Sequence, residues 1–237
     1  MDLTGKVAWI TGGARMGLSV AQALGEEGCR IAFTYRQSRQ PAEEAAHELK
    51  ARGADAVALR CDLTRQAEIK RAARSVVWHF GRLDILVNLA SMYDKGAWEE
   101  HIKTNAQSAY ELTDAVAPWM KKAGMGRIVH IADWTSASGR PRYKGFSPYY
   151  VSKAAIQAVV ESMALELAPK ITVNAIAPGP MLPPKGMSAR EIKIVMEATP
   201  LARWGGAGEI AKAVHFLCKS DFVTGETIRV DGGRHLY

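Results

Sequence analysis

Short apolar runs separated by amphipathic stretches of helical period recur from one end of this chain to the other, and that alternation limits the fold more than any single residue does. Leu83 to Asn88 reads Leu-Asp-Ile-Leu-Val-Asn, almost without a polar face, as expected of a strand covered on both sides. Strands are expected at Lys6 to Thr11, Arg30 to Tyr35, Ala54 to Arg60, Leu83 to Asn88, Arg127 to Ala132, Ile171 to Ala177 and Glu226 to Val230. Between them, helices are expected at Leu18 to Glu27, Pro41 to Arg52, Thr64 to Phe80, Ile102 to Lys122, after Tyr149, and at Gly208 to Lys219, with a short helical patch at Ala189 to Glu197. Strand–helix alternation implies right-handed crossovers and a parallel sheet with helices on both faces. The chain is therefore expected to be a single α/β domain, residues 1–237, built on a doubly wound parallel sheet of about seven strands. Such a sheet binds ligands at the carboxyl ends of its strands. The Pro- and Gly-rich stretch at about 178–206 is placed there as a substrate loop.

Composition removes several function classes. Cys29, Cys61 and Cys218 are odd in number and scattered, which fits neither a disulfide framework nor a zinc site and points to a reducing compartment. The six histidines, at 47, 79, 101, 130, 215 and 235, show no ligand spacing, so no metal is expected. No apolar run reaches the ~18 residues of a membrane helix, and no leader is evident before the first strand, so a cytoplasmic location without membrane association is expected. The formal charge of +7 is spread along the chain without a recognised nucleic-acid motif. Phosphate-bearing small molecules account for it, and nucleic acid is not expected as a partner.

Thr11-Gly12-Gly13-Ala14-Arg15-Met16-Gly17 joins the first strand to the first helix. Glycines at this junction let a pyrophosphate approach the helix N-terminus, whose free N–H groups attract anions. The second strand ends in Tyr35-Arg36-Gln37-Ser38, with no acidic residue to bind a ribose 2′-hydroxyl. Arg36, Ser38 and Arg15 instead suit a 2′-phosphate, so NADPH/NADP is the expected cofactor in a Rossmann-type fold. Asp62, past the third strand, is a candidate acceptor for the adenine amino group, or an N-terminal helix residue with Thr64 as cap.

Tyr149 and Lys153 stand four residues apart on a helical pattern, which puts phenol and ammonium on one face. A neighbouring cation favours the phenolate, so Tyr149 is the candidate general acid or base and Lys153 the group that tunes it.

Taken together, the loop Thr11 to Gly17, Asp62, Asn88-Leu89-Ala90-Ser91, Asn105, Tyr149 with Lys153, Asn174, Pro178-Gly179, Phe222 to Gly225 and Asp231-Gly232-Gly233 resemble the short-chain dehydrogenase/reductases nearly end to end. The resemblance implies hydride transfer from a nicotinamide, with Tyr149 giving the proton and Lys153 holding the nicotinamide ribose. Asn105 would anchor a relay water, and the main chain near Pro178 and Gly179 would orient the nicotinamide. Cofactor contacts are carried over to Gly12, Arg15, Met16, Gly17, Leu63, Asn88 and Ala90. A homotetramer packed through the Ile102 and Tyr149 helices is also implied.

Three departures from the family pattern resemble pteridine reductases. They are Met16 in the glycine loop, Asp133 in place of the usual serine, and Ala90-Ser91 followed by Met92 and Tyr93. The ending Asp231 to Leu236 is similar to the dihydromonapterin/dihydrofolate reductase branch. On this reading Tyr93 stacks a flat pterin, Asp133 relays a proton to Tyr149 or bonds the pterin, and Ser91 lines the substrate site. Ser136 stands at the family's usual interval before Tyr149 and is the alternative partner. Asp133 is preferred because burial fixes the strand end while the following loop lengthens cheaply. The expected activity is NADPH-dependent reduction of a dihydropteridine (dihydrobiopterin, dihydromonapterin or dihydrofolate). A 3-oxoacyl-acyl-carrier-protein or small-carbonyl reductase is the alternative. A non-catalytic dinucleotide sensor is a further one, against which intact Tyr149, Lys153 and Asn105 argue.

Overall fold

The computed structural model describes residues 1–12, 16–184 and 186–237. Seven parallel strands form one sheet in the order β3-β2-β1-β4-β5-β6-β7. They are β1 (Val7–Thr11), β2 (Arg30–Tyr35), β3 (Ala56–Arg60), β4 (Ile85–Asn88), β5 (Gly126–Ile131), β6 (Ile171–Pro178) and β7 (Thr227–Val230). The helices are α1 (Leu18–Glu26), α2 (Arg39–Ala51), α3 (Gln66–Phe80), α4 (Trp98–His101), α5 (Ser108–Ala123), α6 (Trp134–Ala137), α7 (Ser147–Leu167), α8 (Ala189–Glu197) and α9 (Ala207–Lys219). A π-helical segment, Ile102–Gln107, joins α4 to α5. Strand order reverses between β1 and β4, and that switch point opens the crevice where such sheets take a ligand.

Alternate residues of each strand feed opposite cores, as the two-residue period demands. Val7 and Trp9 of β1, Leu86 of β4 and Ile128 of β5 join the core under α3, α5 and α7. Ala8, Ile10, Ile85, Val87, Val129 and Ile131 join the core under α1, α2 and α9. Helix α7 presents Ile156, Val160, Met163 and Leu167 to the first core. The same stripe continues at its N-terminal end through Ser152, Lys153 and Tyr149. One face thus anchors the helix and aims the two reactive groups.

The element boundaries differ from expectation where side chains compete for the backbone. Helix α3 begins at Gln66, not Thr64, because Thr64 donates its N–H and hydroxyl to Asp62 Oδ1 in a turn. Thr64 is therefore not the cap; Arg65 occupies that position. Helix α2 starts two residues early, at Arg39, with Pro41 in its first turn, where no intrahelical donor is needed. The helix expected from Ile102 starts instead at Trp98 and passes through the π segment.

Asp84 fixes the start of the central strands. Fully buried, it accepts from the Val7 N–H at 3.0 Å and takes both Arg82 donors at 2.7 and 2.6 Å. Asp84→Ala strands a buried donor and should lower stability by about 1–3 kcal/mol, read as an earlier midpoint in urea; an unchanged midpoint would refute this anchoring role.

Candidate active site

The carboxyl ends of β1, β2, β3 and β4 frame a cavity of about 550 Å³, lined among others by Gly12, Arg36, Ser38, Asp62, Leu63 and Ala90. Gly12 has φ +73°, and a Cβ there would lie 2.9 Å from the Ala90 nitrogen; the loop closes this tightly only on glycine. Arg15 lies outside the described residues, as do Gly13, Ala14 and Lys185. Met16 packs against the α1 side of the core, and Gly17 stands at the N-cap position of α1. Burial pulls the Asp62 carboxyl up, but hydrogen bonds from Thr64 and the charges of Arg36 and Arg65 outweigh it and hold the group below the usual range. Asp62 therefore brings negative charge beside Arg36 at the adenosine end. At the far end, Gly179 N–H donates to Val230 O, and a Cβ on Gly179 would sit 2.6 Å from Asp231 Cα.

These features fit a nicotinamide dinucleotide. The glycine turn admits close approach of phosphate, the guanidinium of Arg36 lines the cavity, and the cavity runs on to Ser91 and Tyr93.

Tyr149 is buried, and its Oη donates to Asp133 Oδ2 at 2.8 Å. Asp133 caps the short helix α6, its Oδ1 accepting from Thr135 N–H. Ser136 is occupied differently: its hydroxyl donates to Asp133 O at 2.9 Å and accepts from Gln157 at 3.1 Å. The carboxylate after β5, rather than the hydroxyl three residues on, therefore meets the phenol.

Lys153 is fully enclosed and donates to Ile131 O at 2.6 Å, its Nζ 6.0 Å from the Tyr149 ring centre. Burial lowers its pKa to about 8, with Asp133 opposing. The Tyr149 phenol is pushed well above its ordinary value, by burial first and then by the charge and hydrogen bond of Asp133. This reverses the expected direction: the carboxylate sits against the phenol and the ammonium does not. In this state Tyr149 holds its proton at neutral pH.

Asn105, inside the π segment, spends its amide on the Met92 N–H and C=O, at 2.9 and 3.1 Å, and on Ser152 at 2.9 Å. Its side chain thereby pins the loop that carries Ser91 and Tyr93, so any water relay through Asn105 must use other atoms than this amide. Tyr93 stacks on Phe146, centres 5.3 Å apart at 27°, and meets Tyr149 edge-on at 4.8 Å and 78°. Phe146 already occupies one face of Tyr93, an offset aromatic pair.

One functional group escaped the sequence reading. His130, fully buried in β5, connects α5 to the glycine-loop end of the sheet. The Thr113 hydroxyl donates to Ala109 O, so it accepts from His130 Nε2 at 2.9 Å. His130 Nδ1 then accepts from the Asn88 amide at 3.2 Å, and Asn88 Oδ1 accepts from Thr11 Oγ1 at 2.6 Å. Thr11 Oγ1 in turn takes the Ala90 N–H at 3.3 Å. Every donor direction is satisfied by one neutral tautomer. Burial, then Lys153, push the His130 pKa down to about 3. The available signal was a lone polar residue between Val129 and Ile131, which a buried strand tolerates only with partners on both ring nitrogens.

Among the described residues no cluster of His, Cys, Asp and Glu has metal-binding geometry, and no helix is long and apolar enough to cross a membrane.

Comparison with known proteins gives a consistent result. The sequence profile of the family described as enoyl-(acyl carrier protein) reductase matches residues 13–235. The chain is 34% identical over 245 residues to 3-oxoacyl-acyl-carrier-protein reductase FabG of Staphylococcus aureus, covering 98% of each. It is 32% identical to a granaticin polyketide synthase putative ketoacyl reductase of Streptomyces violaceoruber, covering 97% of this chain and 96% of that one. Among solved structures, a short-chain dehydrogenase/reductase from Serratia marcescens superposes with a TM-score of 0.91 at 31% identity, covering 99% and 100% of the two chains. An NAD+-bound xylitol dehydrogenase does so with 0.88 at 31% identity, covering 98% and 100%. The curated sequence relatives named are thus 3-oxoacyl and ketoacyl reductases, where the sequence resemblance pointed to pteridine reductases.

The His130 geometry sets a pH dependence. The unfolded histidine titrates near ~6.5 and the folded one near 3, so over that window the unfolded chain binds the extra proton. Stability is full above about pH 6.5 and falls as pH drops towards 3. His130→Phe should be less stable at neutral pH, because Asn88 loses its acceptor, yet show a shallower acid limb in a melting-temperature series. A parallel acid limb would contradict the assignment.

Proposed function

The chain belongs to the short-chain dehydrogenase/reductase family, and from that premise we propose that it is an NADPH-dependent reductase of an oxo group, with 3-oxoacyl thioesters as the first substrate class. The observation that carries the reading is the Tyr149–Asp133 hydrogen bond, which holds a protonated phenol against Tyr93, a lining residue of the dinucleotide cavity. The named relatives support the thioester class.

When bound, a reduced nicotinamide supplies hydride to the substrate's carbonyl carbon. Gly12, Gly17 and Ala90 would cradle its pyrophosphate, Arg36 and Ser38 a 2′-phosphate, and Lys153 the nicotinamide ribose. Pro178 and Gly179 would hold the ring. Tyr149 gives its proton to the developing alkoxide. The phenolate left behind faces the Asp133 carboxylate across 2.8 Å, a like-charge pair that strongly favours reprotonation. Asp133 takes that proton from solvent and returns it to Tyr149. Exposed Trp98, Tyr110 and Val151 support self-association through α4, α5 and α7.

A second reading, reduction of a dihydropteridine, is favoured by Asp133 at the serine position and by the Tyr93–Phe146 aromatic wall. One NADPH-consumption screen separates the two, using an acetoacetyl thioester against dihydrobiopterin, dihydromonapterin and dihydrofolate. Turnover of none of them would defeat the proposed activity.

Tyr149→Phe should lower kcat by about 10²-fold or more while NADPH still binds. Asp133→Ala should lower kcat with little change in KM, and Ser136→Ala should do much less. Loss of turnover in Ser136→Ala with activity kept in Asp133→Ala would reverse the assignment. NADPH should exceed NADH by ~10-fold in kcat/KM, equivalent to about 1.4 kcal/mol. Arg36→Asp should erase most of that preference, and equal use of both cofactors by the unaltered enzyme would refute it.

A further inference from the structure

A second cavity, of about 320 Å³, is lined by Trp134, Arg142, Tyr143, Ala198, Arg234 and Tyr237. Its floor is Trp134, buried and next in sequence to Asp133. Two guanidinium groups converge on that indole, Arg142 Cζ at 5.7 Å from the ring centre and Arg234 Cζ at 5.8 Å. Two cations drawn to one aromatic ring repel each other, and a fold ordinarily places an acid between them.

None is supplied here. Neither guanidinium has a carboxylate within 4.0 Å among the described residues, the chain's own C-terminus included. The nearby acids are committed elsewhere. Asp133 gives one oxygen to Thr135 and the other to Tyr149. Asp231 holds the Gly233 N–H with one oxygen, and the His235 N–H and ring with the other. Glu197 pairs with Lys193. Arg234 donates to Ala198 O, which positions it and leaves donors free.

A row of contacting rings links this cavity to Tyr149. Tyr143 lies 6.0 Å from Phe146, Phe146 stacks on Tyr93, and Tyr93 touches Tyr149 edge-on. Tyr143 lines the cavity together with both arginines and also meets Phe146, so it joins the cationic end to the row of rings.

We propose that this cavity is a substrate subsite for an anionic oxygen group, a carboxylate, carried at the far end of a flat, ring-containing oxo substrate whose carbonyl meets Tyr149. The proposal rests on the oxo-group reductase reading and, within it, favours a ring-containing acid over the thioester class. A planar fork on each arginine suits a carboxylate, and the row of rings suits a ring between the carbonyl and the charge.

The test uses matched ketones with NADPH: 4-acetylbenzoate and its neutral methyl ester, with an acetoacetyl thioester as a ring-free control. The acid should exceed the ester in kcat/KM by about tenfold or more, and that ratio should shrink as salt rises. Arg142→Gln is the primary variant, because the exposed Arg142 holds no part of the fold together; it should bring the acid-to-ester ratio close to one. Arg142→Lys should keep part of the preference.

Binding is measured separately by calorimetry with 4-carbamoylbenzoate, which has no ketone to reduce. The unaltered protein should bind it at least tenfold tighter than Arg142→Gln does. An acid-to-ester ratio of one in the unaltered enzyme, or a loss in Arg142→Gln that is equal for acid and ester, overturns the subsite. If no ketone and no thioester is reduced, the reductase reading fails, and the calorimetric difference alone then decides the subsite: equal affinities refute it.

Discussion

A parallel sheet covered by helices on both faces leaves only its ends open to water, and every chemical property of this protein follows from that constraint. The seven strands give alternate residues to two separate cores, where an unpaired polar group is costly; the strand exceptions among the described residues, Arg127 Nε and Thr172 Oγ1, lie at the amino ends of β5 and β6. Polar side chains that do enter the sheet must be locked into closed networks, as His130 is through Asn88 and Thr113. Those free to do chemistry collect at the carboxyl ends. The cofactor cavity, Asp133 and the row of aromatic rings are all products of the same exclusion.

Within that frame, the reacting pair is held by opposing forces. Helix α7 carries Tyr149 and Lys153 on its buried stripe, where burial disfavours charge on both. The lysine answers by bonding the Ile131 carbonyl, the tyrosine by bonding Asp133. The usual argument from Tyr-x-x-x-Lys assumes that the cation dominates the phenol. Here the carboxylate is in direct contact with the hydroxyl, and contact outweighs a charge 6.0 Å from the ring centre. The consequence is a phenol that keeps its proton in the resting state, the property the proposed reduction requires.

The strand pattern was legible because its cause is local: an apolar run too short for a helix has few alternatives. Helix starts were less so, since Thr64 and Asp62 trade backbone bonds that no periodicity records. Tyr149, Lys153 and Asp133 were visible from spacing and resemblance, and the choice between Asp133 and Ser136 came from strand register. What sequence could not carry was direction and partnership. The sign of the Tyr149 shift depends on its burial and on the carboxylate that meets its hydroxyl, the tautomer of His130 on Thr113 of the covering helix, and the task of Asn105 on the Met92 backbone. Each is a contact between residues far apart in the chain. The pteridine resemblance rested on Met16, Asp133 and Tyr93, while overall similarity ran to ketoacyl reductases. Few residues decide a substrate, and many decide a fold.

That separation makes the substrate end the informative part of the molecule. A short-chain reductase acting on a flexible acyl chain needs little more than an apolar groove and a proton donor. Here Tyr93 meets Tyr149, Phe146 and Tyr143 continue the row of rings, and the cavity that Tyr143 lines holds two arginines over a single indole. Arg142 stands in the stretch that lengthens the interval between Asp133 and Tyr149, and Arg234 lies in the Asp231 to Leu236 ending, directly after Asp-Gly-Gly. Among the described residues no acid lies within 4.0 Å of either guanidinium, so the attraction of the Trp134 ring is left to hold two like charges together. The physical use of that charge lies in what it attracts, and the row of rings sets the shape of what must join it to Tyr149.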